Sequence, residues 1–244
     1  MKWTQRTELL LGSDKAERLG RSHVLVVGVG GVGAWAAEML CRAGVGEMTL
    51  VDGDTVSETN INRQLPALHS TLGRPKTAVM AERLADINPQ LRLHTVDAFI
   101  TEDDVETLLQ TPYDFIVDAI DTIAPKCALL VAATRRRISV VSSMGAGAKS
   151  DITKIRFAPL ADTFHCGLSK AVRTRLRQVG RDSGDAALTA RLMKIPVVFS
   201  EEQADRDAVV AVEGEQNKKT TTGTVSYMPA TFGCYLAEHV IQRL

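Results

Sequence analysis

Residues 28–33, Gly28-Val29-Gly30-Gly31-Val32-Gly33, satisfy the pattern G-x-G-x-x-G directly after an apolar run, HVLVVG. Glycines so spaced let backbone N–H groups approach a phosphate closely. The helix that follows turns its positive N-terminal end toward the negative charge. Gly28, Gly30, Gly31 and Gly33 are therefore candidate nucleotide contacts. Asp52 closes the next apolar segment and is placed to bind a ribose hydroxyl. On these residues alone, a nicotinamide dinucleotide and a nucleoside triphosphate both remain open.

The next polar connection, VDGDTVSETNINRQ, adds Asp54, Asn60 and Arg63, and Gly73-Arg74-Pro75-Lys76 follows at the mouth of a helix. An amide and two cations near a glycine loop exceed what a bridging pyrophosphate needs. A triphosphate concentrates more charge and does need them. Asn60, Arg63 and Lys76 therefore favour ATP over NAD.

These residues must be positioned by regular elements, and the hydrophobic pattern supplies them. A lead-in helix is expected over residues 5–20, stopping at Gly20. Strand 23–28, helix 32–42 and strand 47–52 form a βαβ unit. Helix 76–87, strand 91–96, strand 113–118, helix 125–137 and strand 138–142 continue the alternation. Past residue 150 it weakens. Residues 152–157 alternate as a half-exposed antiparallel strand, and 168–179 form a basic amphipathic helix. Residues 196–199 are a short strand, 201–223 a polar mobile loop containing KKTTT, and 227–244 a closing helix. The expected fold is α/β: a Rossmann-like, doubly wound, mostly parallel sheet with a smaller antiparallel C-terminal extension. We read 1–244 as one domain, with a nucleotide-binding part over about 1–150 and a substrate-facing part over about 151–244.

Bulk properties narrow the class. The chain has 244 residues, 45% of them apolar, enough for one sizeable core. Lys plus Arg equals Asp plus Glu, so a nucleic-acid contact would have to concentrate charge on one face. The start, MKWTQRTELLLG, lacks the pattern of a signal peptide, and no apolar run suits a membrane span. A cytoplasmic protein without membrane contact is expected. Cys41, Cys127, Cys166 and Cys234 form no CxxC pair, which argues against a disulfide framework or a four-cysteine zinc site. Cys127 and Cys234 lie in apolar helical patterns and read as core; Cys166, beside His165, lies in a polar loop.

GVGGVG, LVDGDTVSETNINRQ and GRPK together resemble the ubiquitin-activating-like adenylating superfamily, and the closing GTVSYMPATFG also fits. The resemblance implies that Gly30, Gly31 and Gly33 cradle phosphates and that Asp52 binds ribose. It implies that Asn60, Arg63 and Lys76 contact the triphosphate and that Asp121, in VDAIDT, helps hold Mg²⁺. Arg6, in QRTELLLG, matches an arginine that a partner subunit inserts into the ATP site, which implies a homodimer. Residues 143–177, SMGAGAKSDITKIRFAPLADTFHCGLSKAVRTRLR, and VVFSEE, 197–202, resemble the branch that dehydrates tRNA threonylcarbamoyladenosine to its cyclic form. That branch implies adenylation of the threonyl carboxylate, with tRNA as partner. It leaves room for a cysteine desulfurase or sulfur-acceptor protein as a further partner. The alternatives are an adenylyltransferase acting on the C-terminal glycine of a sulfur carrier, and a non-catalytic scaffold in sulfur trafficking.

The basic helix fits a polyanion. Lys170, Arg173, Arg175, Arg177 and Arg181 crowd one segment of a neutral chain. Leu168, Val172, Leu176 and Val179 carry its apolar face, which leaves Arg173 and Arg177 on one exposed flank. These five are the candidate tRNA contacts.

Nucleotide choice is directly measurable. Titration calorimetry should show binding of MgATP and little affinity for NAD. Tight NAD binding without ATP binding would overturn the assignment.

Overall fold

The computed structural model describes residues 3–211 and 220–244. Five segments form the parallel body of the sheet: β1 (His23–Val27), β2 (Glu47–Val51), β3 (Arg92–Val96), β4 (Phe115–Asp118) and β5 (Ser139–Ser143). β1 and β4 are buried along their whole length, as strands covered on both faces must be. β7 (Pro196–Ser200) runs parallel to β5, and β6 (Ile155–Pro159) closes the edge antiparallel to β7. The order is β3-β2-β1-β4-β5-β7-β6. Strand order reverses between β1 and β4, the place where an open α/β sheet leaves a crevice.

Two apolar layers cover the sheet. On one face α3 (Gly33–Ala43), α4 (Lys76–Ile87) and α9 (Tyr227–Arg243) bury Leu40, Met80, Phe232 and Leu236 against β1 and β4. On the other, α6 (Ile123–Arg136), α7 (Gly167–Asp182) and α8 (Ala186–Met193) bury Leu129, Leu176 and Leu192, with the short α5 (Asp104–Leu108) beside them. α5 and α8, of five and eight residues, are too short to stand out in the pattern. The mostly parallel α/β sheet and the antiparallel element after residue 150 are both present.

The lead-in segment differs from expectation. It is two helices, α1 (Gln5–Leu11) and α2 (Ser13–Arg21), broken at Gly12, whose φ of 86° no helix accommodates. Gly20 lies inside α2 and does not stop it. The expected loop 201–223 contains a short antiparallel pair, β8 (Val209–Ala211) and β9 (Thr220–Thr222). Lys218 and Lys219 of the KKTTT stretch lie outside the described residues. Among the described residues, no helix is long and apolar enough to cross a membrane.

One buried imidazole makes stability depend on pH. His239, on α9, packs against Phe157 and Phe115 at ring-centroid distances of 4.8 and 6.1 Å. Its Nε2 has no hydrogen-bond partner. Burial, reinforced by Arg243, pushes its pKa down from 6.5 to about 4. Between those values the unfolded chain takes up a proton that the folded chain does not, so stability falls as pH falls through that window. The loss over the full window is about 3 kcal/mol. Urea unfolding at pH 7 and at pH 4.5 should show this drop, and His239→Phe should remove most of it. An unchanged pH slope in the variant would exclude His239 as its source.

Candidate active site

The crevice is made by the carboxyl ends of β1 and β4 and the start of α3. Gly28 leaves β1 with φ 88°, donates its N–H to Val51 O at 2.8 Å, and passes so close to β4 that a Cβ would lie 2.8 Å from Ala119 O. Gly33 is tighter still: a Cβ there would sit 1.8 Å from Gly28 O. Packing alone demands glycine at both. Gly30 is different, since a Cβ would meet only the Gln64 side chain, at 3.7 Å. Its openness suits a backbone that a ligand approaches. Gly31 lies under Pro229, at the start of α9, so the chain's last helix abuts the loop.

Acidic residues brace this loop. Asp52 Oδ2 accepts from Val29 N at 2.7 Å and Oδ1 from Asp54 N at 2.9 Å. Burial raises the Asp52 pKa; the nearby Lys76 charge and the two N–H groups oppose that rise. Lys76 is not a solvated helix-start lysine. It is 4% exposed, and its Nζ meets Asp54 Oδ2 at 2.7 Å. Asn60 is also buried, and its Oδ1 accepts from Ser57 N at 3.1 Å, which ties off the turn that carries Arg63. Arg63 donates from Nη1 to Thr59 O at 2.7 Å and to Asn62 Oδ1 at 2.8 Å. Burial lowers its pKa, and the Asp121 carboxylate acts in the opposite sense. Asp121 is exposed, just past β4, and accepts a long bond from Thr122 Oγ1 at 3.4 Å. The structure thus gathers Gly28–Gly33, Asp52, Asp54, Asn60, Arg63, Lys76 and Asp121 around one crevice.

Two features escaped the sequence reading. Asp118 reads as a strand-end residue, yet it is fully buried with Lys126 Nζ at 2.8 Å and Ser142 Oγ at 2.6 Å. Lys126 also donates to Ile120 O at 2.9 Å, which fixes the backbone leading into Asp121. A lysine four residues into a helix looks like any surface residue until β5 is placed beside β4. Gln64 is the other. Its buried Oε1 has no partner, and its amide group lies beside Gly30, with Nε2 at 3.7 Å and Oε1 at 3.9 Å from the position of a Cβ there.

Other candidates lie elsewhere. Arg6 is exposed on α1. Thr4, which precedes α1, touches the position of a Gly44 Cβ at 3.4 Å, at the far end of α3 from the glycine loop. On α7 the exposed cations are resorted. Arg173 does not share a free flank with Arg177: its Nη1 donates to Thr163 O at 2.7 Å and also to Thr163 Oγ1, so the guanidinium is turned onto the protein. Arg175 turns toward Glu102, at 3.6 Å. Lys170, Arg177 and Arg181, spaced seven and four residues apart, form one exposed stripe. Cys41 and Cys127 are buried, and burial pushes both thiols up to about 11. Cys234 is exposed, contrary to the core reading, because the apolar face of α9 is carried by its neighbours Phe232, Leu236 and Ala237.

Comparison with known proteins finds relatives that match nearly the whole chain. The ThiF family model matches residues 4–244. The chain is 36% identical to the tRNA threonylcarbamoyladenosine dehydratase of Escherichia coli over 99% of its own length and 94% of that protein's. It is 38% identical to the Bacillus subtilis protein of the same name, over 98% and 93%. The crystal structure of the Escherichia coli dehydratase in complex with ATP superposes with TM-score 0.86 at 35% identity, covering 98% of this chain and 92% of that one.

The buried Asp118–Lys126 pair can be tested by stability alone. Lys126→Met should cost about 3–5 kcal/mol in urea unfolding, because it leaves a carboxylate buried without its counter-charge. Replacing both residues by apolar ones of similar size should recover most of that loss. A cost below about 1 kcal/mol for the single variant would show that the pair is not a closed buried unit.

Proposed function

The chain belongs to the ThiF family, and from that premise we propose that it is an ATP-dependent tRNA threonylcarbamoyladenosine dehydratase. The observation that carries this reading is the joint one: relatives of that name match nearly end to end, and the crevice has the cations and open glycine loop that a triphosphate requires. In the reaction, the threonyl carboxylate of the modified adenosine attacks the α-phosphorus of ATP and pyrophosphate leaves. The carbamoyl group then attacks the resulting acyl adenylate, closes a ring, and releases AMP. The oxygen lost from the carboxylate departs with AMP, so the nucleoside is dehydrated.

The residues serve this chemistry by alignment and charge. Gly30 and Gly31 offer backbone to the phosphates, with Gly28 and Gly33 setting the turn. Asp52 and Asn60 shape the loop beside ribose and phosphate. Arg63 and Lys76 offset the triphosphate charge, Lys76 leaving Asp54 for the phosphates. Gln64 Oε1 is an acceptor for a nucleotide hydroxyl or amino group. Asp121 presents a hard, exposed carboxylate oxygen, which fits Mg²⁺; when bound, that ion supplies further neutralisation of the phosphates.

Residues about 1–150 hold the nucleotide and about 151–244 face the tRNA, within one domain whose sheet runs through both. Lys170, Arg177 and Arg181 form the principal phosphate-facing stripe, with Arg173 and Arg175 flanking it. The protein is a cytoplasmic homodimer. Arg6 acts on the partner's site, a role that suits its place at the end of α3 remote from its own glycine loop. Leu9 and Leu10, 79% and 83% exposed on the same helix, supply apolar surface for such a contact.

Mass spectrometry of nucleosides from threonylcarbamoyladenosine-containing tRNA, incubated with enzyme and MgATP, tests the reaction. The expected product is lighter by one water and appears with AMP and pyrophosphate. Lys76→Ala and Arg63→Ala should each lower turnover by more than about a hundredfold, a transition-state contact of about 3 kcal/mol. Mixing inactive Lys76→Ala with Arg6→Ala should restore part of it. Pyrophosphate release only with a carrier protein, and none with tRNA, would instead support the carrier adenylyltransferase.

A further inference from the structure

The pole of the sheet opposite the crevice holds a second cluster of chemistry-bearing side chains. β1, β2 and β3 are parallel and begin side by side. Their register pairs His23 with Glu47 and Thr49 with His94, so all four side chains stand on one face. His94 Nε2 lies 2.9 Å from Glu47 Oε1, and His23 Nδ1 lies 3.7 Å from the same oxygen. One ligand atom from each of the three falls within 4.8 Å of the others. Zinc bonds of about 2.0–2.2 Å place tetrahedral ligand atoms roughly 3.3–3.5 Å apart, so small rotamer changes complete the geometry.

The surroundings orient two of these ligands. His23 Nε2 lies 2.9 Å from Thr49 Oγ1, both buried. With the hydroxyl accepting Nε2–H, the lone pair sits on Nδ1, the nitrogen that faces Glu47. The His23 ring is held edge-on to Tyr113 at 4.7 Å, and its backbone N–H donates to Asp114 Oδ2 at 2.7 Å. Glu47 keeps Oε1 toward the histidines while Oε2 accepts from Arg92, at 2.7 Å from Nη2 and 3.1 Å from Nε. Only His94 is largely exposed, and it closes the cluster from the solvent side.

We propose that His23 Nδ1, Glu47 Oε1 and His94 Nε2 form a binding site for a divalent transition metal of the zinc class, with the fourth position taken by water. Two imidazoles and one carboxylate suit such a borderline cation better than Mg²⁺ or Ca²⁺, which prefer oxygen. Glu47 and Asp114 supply negative charge there, and Arg92 opposes it. The site is separated from the glycine loop by the length of β1, roughly 13 Å. A bound ion would tie three strand starts together without touching nucleotide.

The test uses the full chain after chelator treatment, with Zn²⁺ in calorimetry, Co²⁺ in visible absorption, and thermal unfolding with and without Zn²⁺. We expect one equivalent bound at this cluster, a nitrogen- and oxygen-ligated Co²⁺ spectrum, and a higher unfolding temperature. His94→Ala, an exposed change that should leave the fold intact by circular dichroism, should weaken binding at least about tenfold. Arg92→Ala should tighten it by freeing Glu47, and ATP affinity should be unchanged in both. Absence of binding to the parent chain would overturn the proposal. So would binding that neither variant alters, which would assign the metal to the thiols or the general surface.

Discussion

The approach of α3 to the end of β1 is the contact on which the crevice end of the molecule depends. A Cβ on Gly33 would sit 1.8 Å from Gly28 O, a distance no side chain can occupy. Gly28 in turn leaves its strand at φ 88° with β4's Ala119 carbonyl against it. Only with both glycines can the helix begin within contact of the last strand residue. The start of α3 then borders the crevice without a side chain packed between helix and strand. Asp52, just past β2, secures the result by accepting from Val29 N, so the ends of β1 and β2 are joined at one carboxylate.

Around that contact the charged residues rest in paired states. Lys76 is held by Asp54, and Arg63 lies against Thr59 O and Asn62 Oδ1. A buried ammonium without a counter-charge would be costly, so these pairs let the segment fold with its cations satisfied by the chain itself. Asp54 is half exposed and can be solvated when its lysine turns elsewhere. Asp118 and Lys126 are a different case. Both are fully buried, and their geometry is completed by Ser142 and the Ile120 carbonyl. That pair has nothing to release, and it holds the backbone that presents Asp121.

Most of the frame was legible because its signals are local. The central strands β1 and β4 are short, largely apolar runs, and the glycine loop follows its strand without a gap. The same locality explains the misses. The break at Gly12 is a backbone conformation, invisible to a helical pattern that continues through Leu11 and Leu19. Cys234 stands one residue from Gly233, which packs against Val32 O and Trp35, yet it points outward, because adjacent helical positions differ by a large rotation. Lys126 and Gln64 acquire meaning only from partners brought in by the sheet or the loop. Arg173 belongs with them: helical spacing puts it beside the basic flank, while Thr163, ten residues earlier, decides where its guanidinium goes.

The distribution of thiols bears on what kind of chemistry this frame can host. Acyl transfer through a protein thioester needs a thiolate within reach of the activated carboxylate. Cys41 and Cys127 are buried with pKa values pushed up to about 11, which keeps them protonated and inert near neutral pH. Cys166 caps the start of α7, and its Sγ takes part in the helix N-terminus through Ser169 N at 3.5 Å. Cys234 faces solvent on α9. None of the four borders the glycine loop among the contacts that define it, whereas cations, amides and open backbone do. A substrate that carries both its carboxylate and its internal nucleophile asks for no thiol. It asks for a phosphate cradle that holds the leaving group still while the ring closes, and cations, amides and open backbone are what such a cradle is made of.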